Sequence, residues 1–305
     1  MCLNLFKYIN SFCEKEADNG MSGSCGSDCT HEDKCPLSLE QSDSINCYDC
    51  MRQIHYPAEY SSSTIIRERY DCRNIVIDYV NKYLNKYASE ILHALNRLSF
   101  FKDLKDYNII SVGCGPAPDL MAFEKYLQDN SLNKKINYLG FDCNHYWEPI
   151  QNKIKDYCKI NRIEARFPNI DIMNSSDLSI EIIDFQPNIL ILQYFLSSFG
   201  RAGQNSGIDF FDYLIENIIP SMDNNSIIVI NDINYKDPRD SFATIKKNLE
   251  NNGYKTTEYK LYFNYNIRNL SQQYGRAHSN YDTLFIVDGN HCTSAQYILR
   301  FERIN

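Results

Sequence analysis

A chain of 305 residues that is 43% hydrophobic and 23% charged has enough apolar content to bury a core, which excludes a wholly disordered protein. No apolar run approaches the roughly 18–20 residues that a bilayer span requires, the longest being residues 189–199. A formal charge of −8 argues against a protein that wraps nucleic acid by bulk electrostatics.

The N-terminal stretch is apolar but is interrupted by Asn4, Lys7 and Asn10, and it lacks a small-residue cleavage site. A secretory signal is therefore not expected, and the expected compartment is the cytoplasm. Seven of the twelve cysteines (Cys2, Cys13, Cys25, Cys29, Cys35, Cys47 and Cys50) fall within the first fifty residues. An oxidised secreted scaffold would spread its cysteines, so a dense cluster reads as an intracellular metal module. The knuckle Cys47-Tyr48-Asp49-Cys50 supplies two sulfurs from one turn, and Cys29 and Cys35 are the expected second pair of a tetrahedral zinc site. Cys25, His31 and His55 are reserve ligands, and free thiols in an arm are the plain alternative.

Residues 1–60 hold ten acidic and four basic side chains, a balance of −6 within the chain's −8, and show no sustained helical or strand period. They are expected to form a small zinc module. Its charge disfavours nucleic acid, although zinc knuckles often bind it. A structural or lid role near the entrance of a crevice fits better. Residues 61–305 are expected to form the main domain, opening with helices over 61–105. There Ile65, Ile66, Val76, Ile77, Val80, Leu84, Ile91, Leu92, Leu95 and Leu98 recur at steps near three and four.

From residue 108 the pattern alternates. Strands are expected over 108–112, 136–141, 188–196 and 226–230, and helices over 119–127, 150–160, 210–219 and 241–249. Such alternation means a parallel sheet covered on both faces. The segments 257–265, 283–287 and 297–301 read as strands without long helices between them, which adds an antiparallel edge.

The sharpest motif is Gly113-Cys114-Gly115-Pro116-Ala117-Pro118, where a buried strand runs into Gly-x-Gly and a helix follows. Gly113 permits the tight turn, and Gly115 lets a ligand approach the backbone. Pro118 suits the first helical turn. A dinucleotide fingerprint would place glycine at 118, so a nicotinamide cofactor is disfavoured. Asp142 follows the next strand, where a carboxylate can accept both hydroxyls of a ribose; a helix cap is the plain alternative. Asp171 stands at the expected end of the third strand, where it also reads as a solvated turn residue. Asn231 and Asp232 end the fifth strand. Polar groups there suit substrate orientation or proton removal, and they also stabilise turns on their own.

The glycine turn, with Asp142, Asp171 and Gln193-Tyr194 after strands two, three and four, resembles the class I S-adenosylmethionine-dependent methyltransferases over residues 61–305. The resemblance implies an α/β fold: a Rossmann-like, doubly wound, mostly parallel sheet with an antiparallel C-terminal edge. It implies S-adenosylmethionine as cofactor. Gly113, Cys114 and Gly115 would lie against its methionine part, Asp142 would hold the ribose, Asp171 would face the adenine, and Gln193 would complete the set. Tyr194 and Asp232 are the expected catalytic residues. The Asn/Asp-Pro-Pro-Tyr/Phe signature of enzymes that methylate exocyclic base amines is absent. The expected substrate is therefore a small molecule or a protein side chain.

Two other readings stand beside this one. The run Gly-x-Gly-Pro116-Ala117-Pro118 also resembles the turn of nicotianamine-synthase-like enzymes, which move the aminocarboxypropyl arm of the same cofactor. A non-catalytic, methyltransferase-like scaffold that binds a protein partner is the reading from another class.

Overall fold

The computed structural model of the protein describes residues 4–20, 70, 73–172, 182, 185–197, 210–233, 236–264 and 293–304. The proposed zinc ligands Cys29, Cys35, Cys47 and Cys50, with Cys25, His31 and His55, lie outside the described residues, as do Cys2 and the strand expected over 283–287. Among the described residues no cluster of three His, Cys, Asp or Glu side chains is placed to hold a metal ion. No described helix is long and apolar enough to cross a membrane.

The first helix, α1 (Leu5–Gly20), corrects the expectation that the first sixty residues lack a helical period. Leu5, Ile9 and Cys13 stand four apart and are fully buried, whereas Lys7, Ser11, Glu14 and Lys15 face solvent. Of the residues that break the apolar run in the sequence, Lys7 lies on the outward face of this amphipathic helix, Asn10 is half-buried and Asn4 precedes the first turn. Glu124 fixes the start of α1, its carboxylate accepting the Leu5 N–H at 2.9 Å. The buried side chains of α1 join the same core as the sheet, so this helix packs as part of the body.

Helix α2 (Arg73–Tyr79) passes through a π-helical turn (Val80–Leu84) into α3 (Asn85–Arg97). Then β1 (Tyr107–Val112), α4 (Pro118–Asp129), β2 (Ile136–Phe141), α5 (Glu148–Asn161) and β3 (Glu164–Arg166) follow. Beyond them come β4 (Ile189–Gln193), β5 (Ser226–Ile233), α6 (Lys236–Asn251), β6 (Tyr254–Asn264) and β7 (Thr293–Arg303). The seven strands form one sheet in the order β3-β2-β1-β4-β5-β7-β6. The strands from β3 to β5 are parallel, and β7 runs antiparallel to both β5 and β6.

Alternation sorts the strands' apolar residues onto two faces. Ile109, Ile189, Ile191, Ile227 and Val229 pack with α1, α3, α4 and α5 on one side. Ile110, Leu190, Leu192, Ile228 and Ile230 pack with Phe210, Leu214, Phe242 and Leu249 on the other. Burial on both faces is why β1, β4 and β5 read as continuous apolar runs. The chain order of the strands reverses between β1 and β4. In such a sheet the crevice beyond the strands' carboxyl ends opens at that point.

Candidate active site

The glycine turn leaves β1 at that reversal. Gly113 (φ 63°) and Gly115 (φ 48°) both adopt the left-handed region that favours glycine. A β-carbon on Gly113 would stand 2.7 Å from the Phe195 ring, and one on Gly115 would stand 3.5 Å from Trp147. Ala117, where the family's third glycine would stand, is also left-handed (φ 52°) and precedes Pro118, the first residue of α4. An alanine in that conformation costs roughly 1–2 kcal/mol, which the surrounding bonds must offset. The Cys114 N–H donates to the Phe141 carbonyl at 3.1 Å, and the Ala117 N–H donates to the Cys114 carbonyl at 2.8 Å. Gln151 of α5 donates to the Gly115 carbonyl at 3.0 Å. The Cys114 side chain itself is buried beneath the turn, and burial first, then the Asp142 and Asp119 charges, push its thiol well up. An uncharged, inward thiol contributes packing, so any ligand contact of this residue is through its backbone.

Asp142 closes the turn from β2. One carboxylate oxygen accepts the Gly115 N–H at 2.8 Å and the other accepts the Asn144 N–H at 2.9 Å. Burial pushes this carboxyl up to about 6, against the lowering effect of the two N–H donors. Asp142 therefore links the glycine turn to the segment that carries Trp147. The strand expected to end at Asp171 is shorter than its sequence suggests. β3 stops at Arg166, Asn169 makes an isolated parallel bridge to Asp142, and Asp171 stands exposed beyond it.

Aromatic rings surround the turn. Trp147 meets Tyr79 at 5.3 Å between centroids, Tyr79 meets Tyr87 at 5.8 Å, and Tyr87 stacks on Tyr194 at 4.0 Å. Phe195 then returns the chain of rings to Gly113. Tyr79, Tyr83 and Tyr87 reach this wall because the helix from α2 through the π-helical turn into α3 places them on one face.

Tyr194 is the strained member. It leaves β4 with φ 52°, and its N–H donates to the Asn231 carbonyl at 2.7 Å. A bulky residue in this conformation is held there by its surroundings. Its hydroxyl donates to the Glu90 carboxylate, 2.9 Å from one oxygen and 3.1 Å from the other. Glu90 is fully buried and also accepts from Asn231 Nδ2 and Ser294 Oγ, both at 2.7 Å. Gln296 donates to the Glu90 carbonyl at 2.7 Å, and Gln193 donates to the Tyr87 carbonyl at 2.9 Å. Helix α3 is thereby tied to the ends of β4, β5 and β7.

Asp232 lies deeper. Its oxygens accept the Ser197 N–H at 3.0 Å and the Ile233 N–H at 2.7 Å, and burial pushes its carboxyl up to about 6. In this arrangement it fixes the turn that follows β4.

The structure places Gly113, Cys114, Gly115, Asp142, Gln193 and Tyr194 at the carboxyl ends of β1, β2 and β4, with Asp142 bonded to the Gly115 N–H, and leaves Asp171 exposed beyond β3. Sequence reasoning missed Glu90, Trp147, Phe195 and the tyrosines of α2 and α3. The spacing Tyr79-x3-Tyr83-x3-Tyr87 was visible as a helical stripe, but nothing local marks Glu90. A separate cleft of about 370 Å³ between α6 and the β6–β7 edge is lined by Arg239, Phe242, Lys246, Lys247, Lys260 and other residues. It does not include the glycine turn, and Lys246 and Lys260 are paired there with Glu258 at 3.3 and 3.2 Å.

No family model matches the chain, and no curated protein matches it. Solved structures do resemble it. One is the plantazolicin methyltransferase BpumL in complex with a monoazolic desmethylPZN analog and SAH, at 14% identity over 84% of this chain and 98% of that one (TM-score 0.45). Another is magnesium protoporphyrin IX methyltransferase from Synechocystis PCC 6803 with bound SAM, at 10% identity over 85% and 100% (TM-score 0.42). A third is an rRNA methylase from Streptococcus thermophilus, at 8% identity over 72% and 94% (TM-score 0.36).

Proposed function

We propose that this protein is an S-adenosylmethionine-dependent methyltransferase acting on a small molecule or a protein side chain. The observation that carries the reading is the strand–glycine turn–helix at the sheet's reversal point, with the Asp142 carboxylate bonded to the Gly115 N–H. The residues fit the cofactor. The turn presents bare backbone in a left-handed conformation that favours glycine at both Gly113 and Gly115, and Asp142 offers the acceptor pair that two ribose hydroxyls need. Gly113, Cys114 and Gly115 would hold the methionine part through their backbone, Asp171 would face the adenine, and Gln193 would complete the cradle. The cofactor, when bound, supplies a methyl carbon activated by a sulfonium.

The chain's own part is orientation. Methyl transfer demands alignment of nucleophile, carbon and departing sulfur more than acid–base chemistry. Tyr194 is held rigid by Glu90 and Asn231 at the edge of the turn, and Asp232 sets the segment just after it. These two are proposed to orient the acceptor. The cysteine-rich segment is proposed to bind one zinc through Cys29, Cys35, Cys47 and Cys50, which elemental analysis of the purified protein and of a Cys47→Ser, Cys50→Ser variant tests.

A second reading is supported by the Pro116-Ala117-Pro118 turn, which is buried as a unit. Transfer of the aminocarboxypropyl arm would leave methylthioadenosine, whereas methyl transfer leaves S-adenosylhomocysteine. Mass spectrometry of the products of an acceptor screen separates the two. Titration calorimetry with S-adenosylhomocysteine tests the cofactor site itself. One site per chain supports the reading, and absence of binding at high micromolar concentration overturns it.

A further inference from the structure

The two edges of the sheet end differently. One edge is β3, whose three residues offer little backbone for pairing. The other is β6, eleven residues long, and among the described residues it pairs with β7 alone. Its register runs unbroken from Tyr254 opposite Arg303 to Asn264 opposite Thr293, so no bulge twists this edge away. The strand contains neither proline nor glycine and is rich in threonine and aromatic residues, as suits a pleated surface. The usual devices that keep an edge strand from pairing are therefore mostly lacking here.

The ladder with β7 fixes which backbone groups of β6 stay open. The Ile304 N–H donates to the Gly253 carbonyl at 2.9 Å, in the pair that extends the register by one step. Hydrogen-bonded and non-hydrogen-bonded pairs alternate along an antiparallel ladder. The odd-numbered residues of β6 therefore turn their N–H and C=O groups toward β7. The even-numbered residues, Glu258 and Lys260 among them, turn theirs outward.

The side chains of this edge complement themselves. Glu258 and Lys260 share the α6 face, where Glu258 lies 3.3 Å from Lys246 and 3.2 Å from Lys260, and their side chains stay 38% and 41% exposed. Exposed pairs of this kind contribute little, so they yield readily to a partner across the edge. Tyr259, between them, points to the opposite face against Phe100, at 5.1 Å between ring centroids. Let a second β6 run antiparallel to the first about a two-fold axis through Tyr259. Glu258 then stands opposite Lys260 of the partner subunit, and Lys260 opposite the partner's Glu258. This register also matches outward-facing backbone with outward-facing backbone. Moving the axis one residue, to Glu258 or to Lys260, sets like charges opposite each other instead, which is unfavourable.

We propose that the chain forms a homodimer in which β6 pairs with β6 of a second copy about a two-fold axis at Tyr259. The pairing uses up the open edge of both copies, so assembly closes at two. Because β7 is antiparallel to both β5 and β6, β6 runs parallel to β5. The parallel strands of the two copies therefore run in opposite directions, and their glycine turns lie toward opposite ends of the joined sheet. The proposal is independent of the cofactor reading.

Sedimentation velocity of the full chain over a range of concentrations tests it, with a dimer that gains population as concentration rises as the expected result. Glu258→Lys and Lys260→Glu each set like charges across the axis and should raise the dimer dissociation constant at least about tenfold. An equimolar mixture of those two variants restores opposite charges and should form a heterodimer about as tight as the parent dimer. Thr256→Pro removes an outward N–H, leaves the bonds to β7 and both charges in place, and should abolish the dimer. Thermal unfolding identifies any variant that does not fold, and if a charge variant is one of them, Thr256→Pro decides. A monomer at every concentration overturns the proposal, as does a dimer that every folded variant leaves unchanged within twofold. Weakened charge variants whose mixture does not recover would place those charges somewhere other than across this axis, and would overturn it too.

Discussion

Two regions at the carboxyl ends of the strands, the glycine turn and the wall of side chains around Glu90, are built on opposite principles. The turn side is local and made of backbone: six consecutive residues, 113–118, two of them left-handed glycines, tied down by one carboxylate 27 positions from Gly115. The wall side is non-local and made of side chains. Glu90 receives its hydrogen bonds from residues 104, 141 and 204 positions away, delivered by the ends of three strands. A backbone turn favours glycine at its left-handed points, with Ala117 held there only by supporting hydrogen bonds, so its sequence is constrained residue by residue. A side-chain wall can be assembled from any elements that the topology brings together. The difference teaches that a backbone turn is written in a few neighbouring residues, whereas a side-chain network is written only in the topology that assembles it.

The comparison breaks most visibly at its buried carboxylate. Glu90→Ala would leave the Tyr194 and Ser294 hydroxyls and the Asn231 amide without their acceptor in a water-poor site. A loss of about 4 kcal/mol in unfolding free energy is expected, measurable by denaturant titration. A loss under about 1 kcal/mol, small for a buried acceptor, would mean that the wall is not a cooperative unit.

One buried carboxylate on each side, Asp142 at the turn and Asp232 at the end of β5, predicts a dependence on pH. Asp142 and Asp232 each rise from 3.8 to about 6 because burial penalises the ionised form. The sign follows from proton linkage: between roughly pH 4 and 6 the folded state binds more protons than the unfolded chain. Stability contributed by these two groups is therefore greatest in acid and declines as pH rises to about 6, by roughly 3 kcal/mol for each group. Asp142→Asn should remove its share of that slope, as urea titrations at pH 4.5 and 7 would show. Ligand affinity should run the other way, weakening as pH falls below about 6, because ribose hydroxyls need an ionised acceptor. Parallel pH trends in stability and affinity would contradict the role assigned to Asp142.

The smallest of these effects concerns one methyl group. Gly113→Ala forces a side chain into φ 63° and against the Phe195 ring, and should cost about 2 kcal/mol. Because Phe195 follows Tyr194, this is a point at which the turn and the wall touch. The double variant Gly113→Ala, Phe195→Leu should recover part of the loss. An additive double variant would show the two sides to be mechanically independent.

The legibility of the molecule follows the same division. The alternating strands and helices, the antiparallel C-terminal edge, the glycine turn and Asp142 were readable because each depends on neighbouring residues or on a period. Ala117 shows the limit of motif reading, since a non-glycine residue holds a left-handed position once neighbouring hydrogen bonds support it. Helix α1 was missed although Leu5, Ile9 and Cys13 mark its buried stripe. Its polar interruptions read as breaks because Lys7 and Asn10 fall between the buried positions of the stripe. Asp171 was placed one strand-end too far along, because a strand of three residues carries too little pattern to mark its end. Glu90 was invisible in principle. Its meaning lies in Tyr194, Asn231 and Ser294, and no local window contains them.

The central claim is that the glycine turn and Asp142 together form an S-adenosylmethionine site. Titration calorimetry of S-adenosylhomocysteine into the parent protein and into Asp142→Ala at pH 7.5 addresses it directly. One binding site per chain in the parent, with affinity reduced at least about tenfold in the variant, is the predicted result. No binding to the parent, or equal affinity in the two proteins, would contradict it.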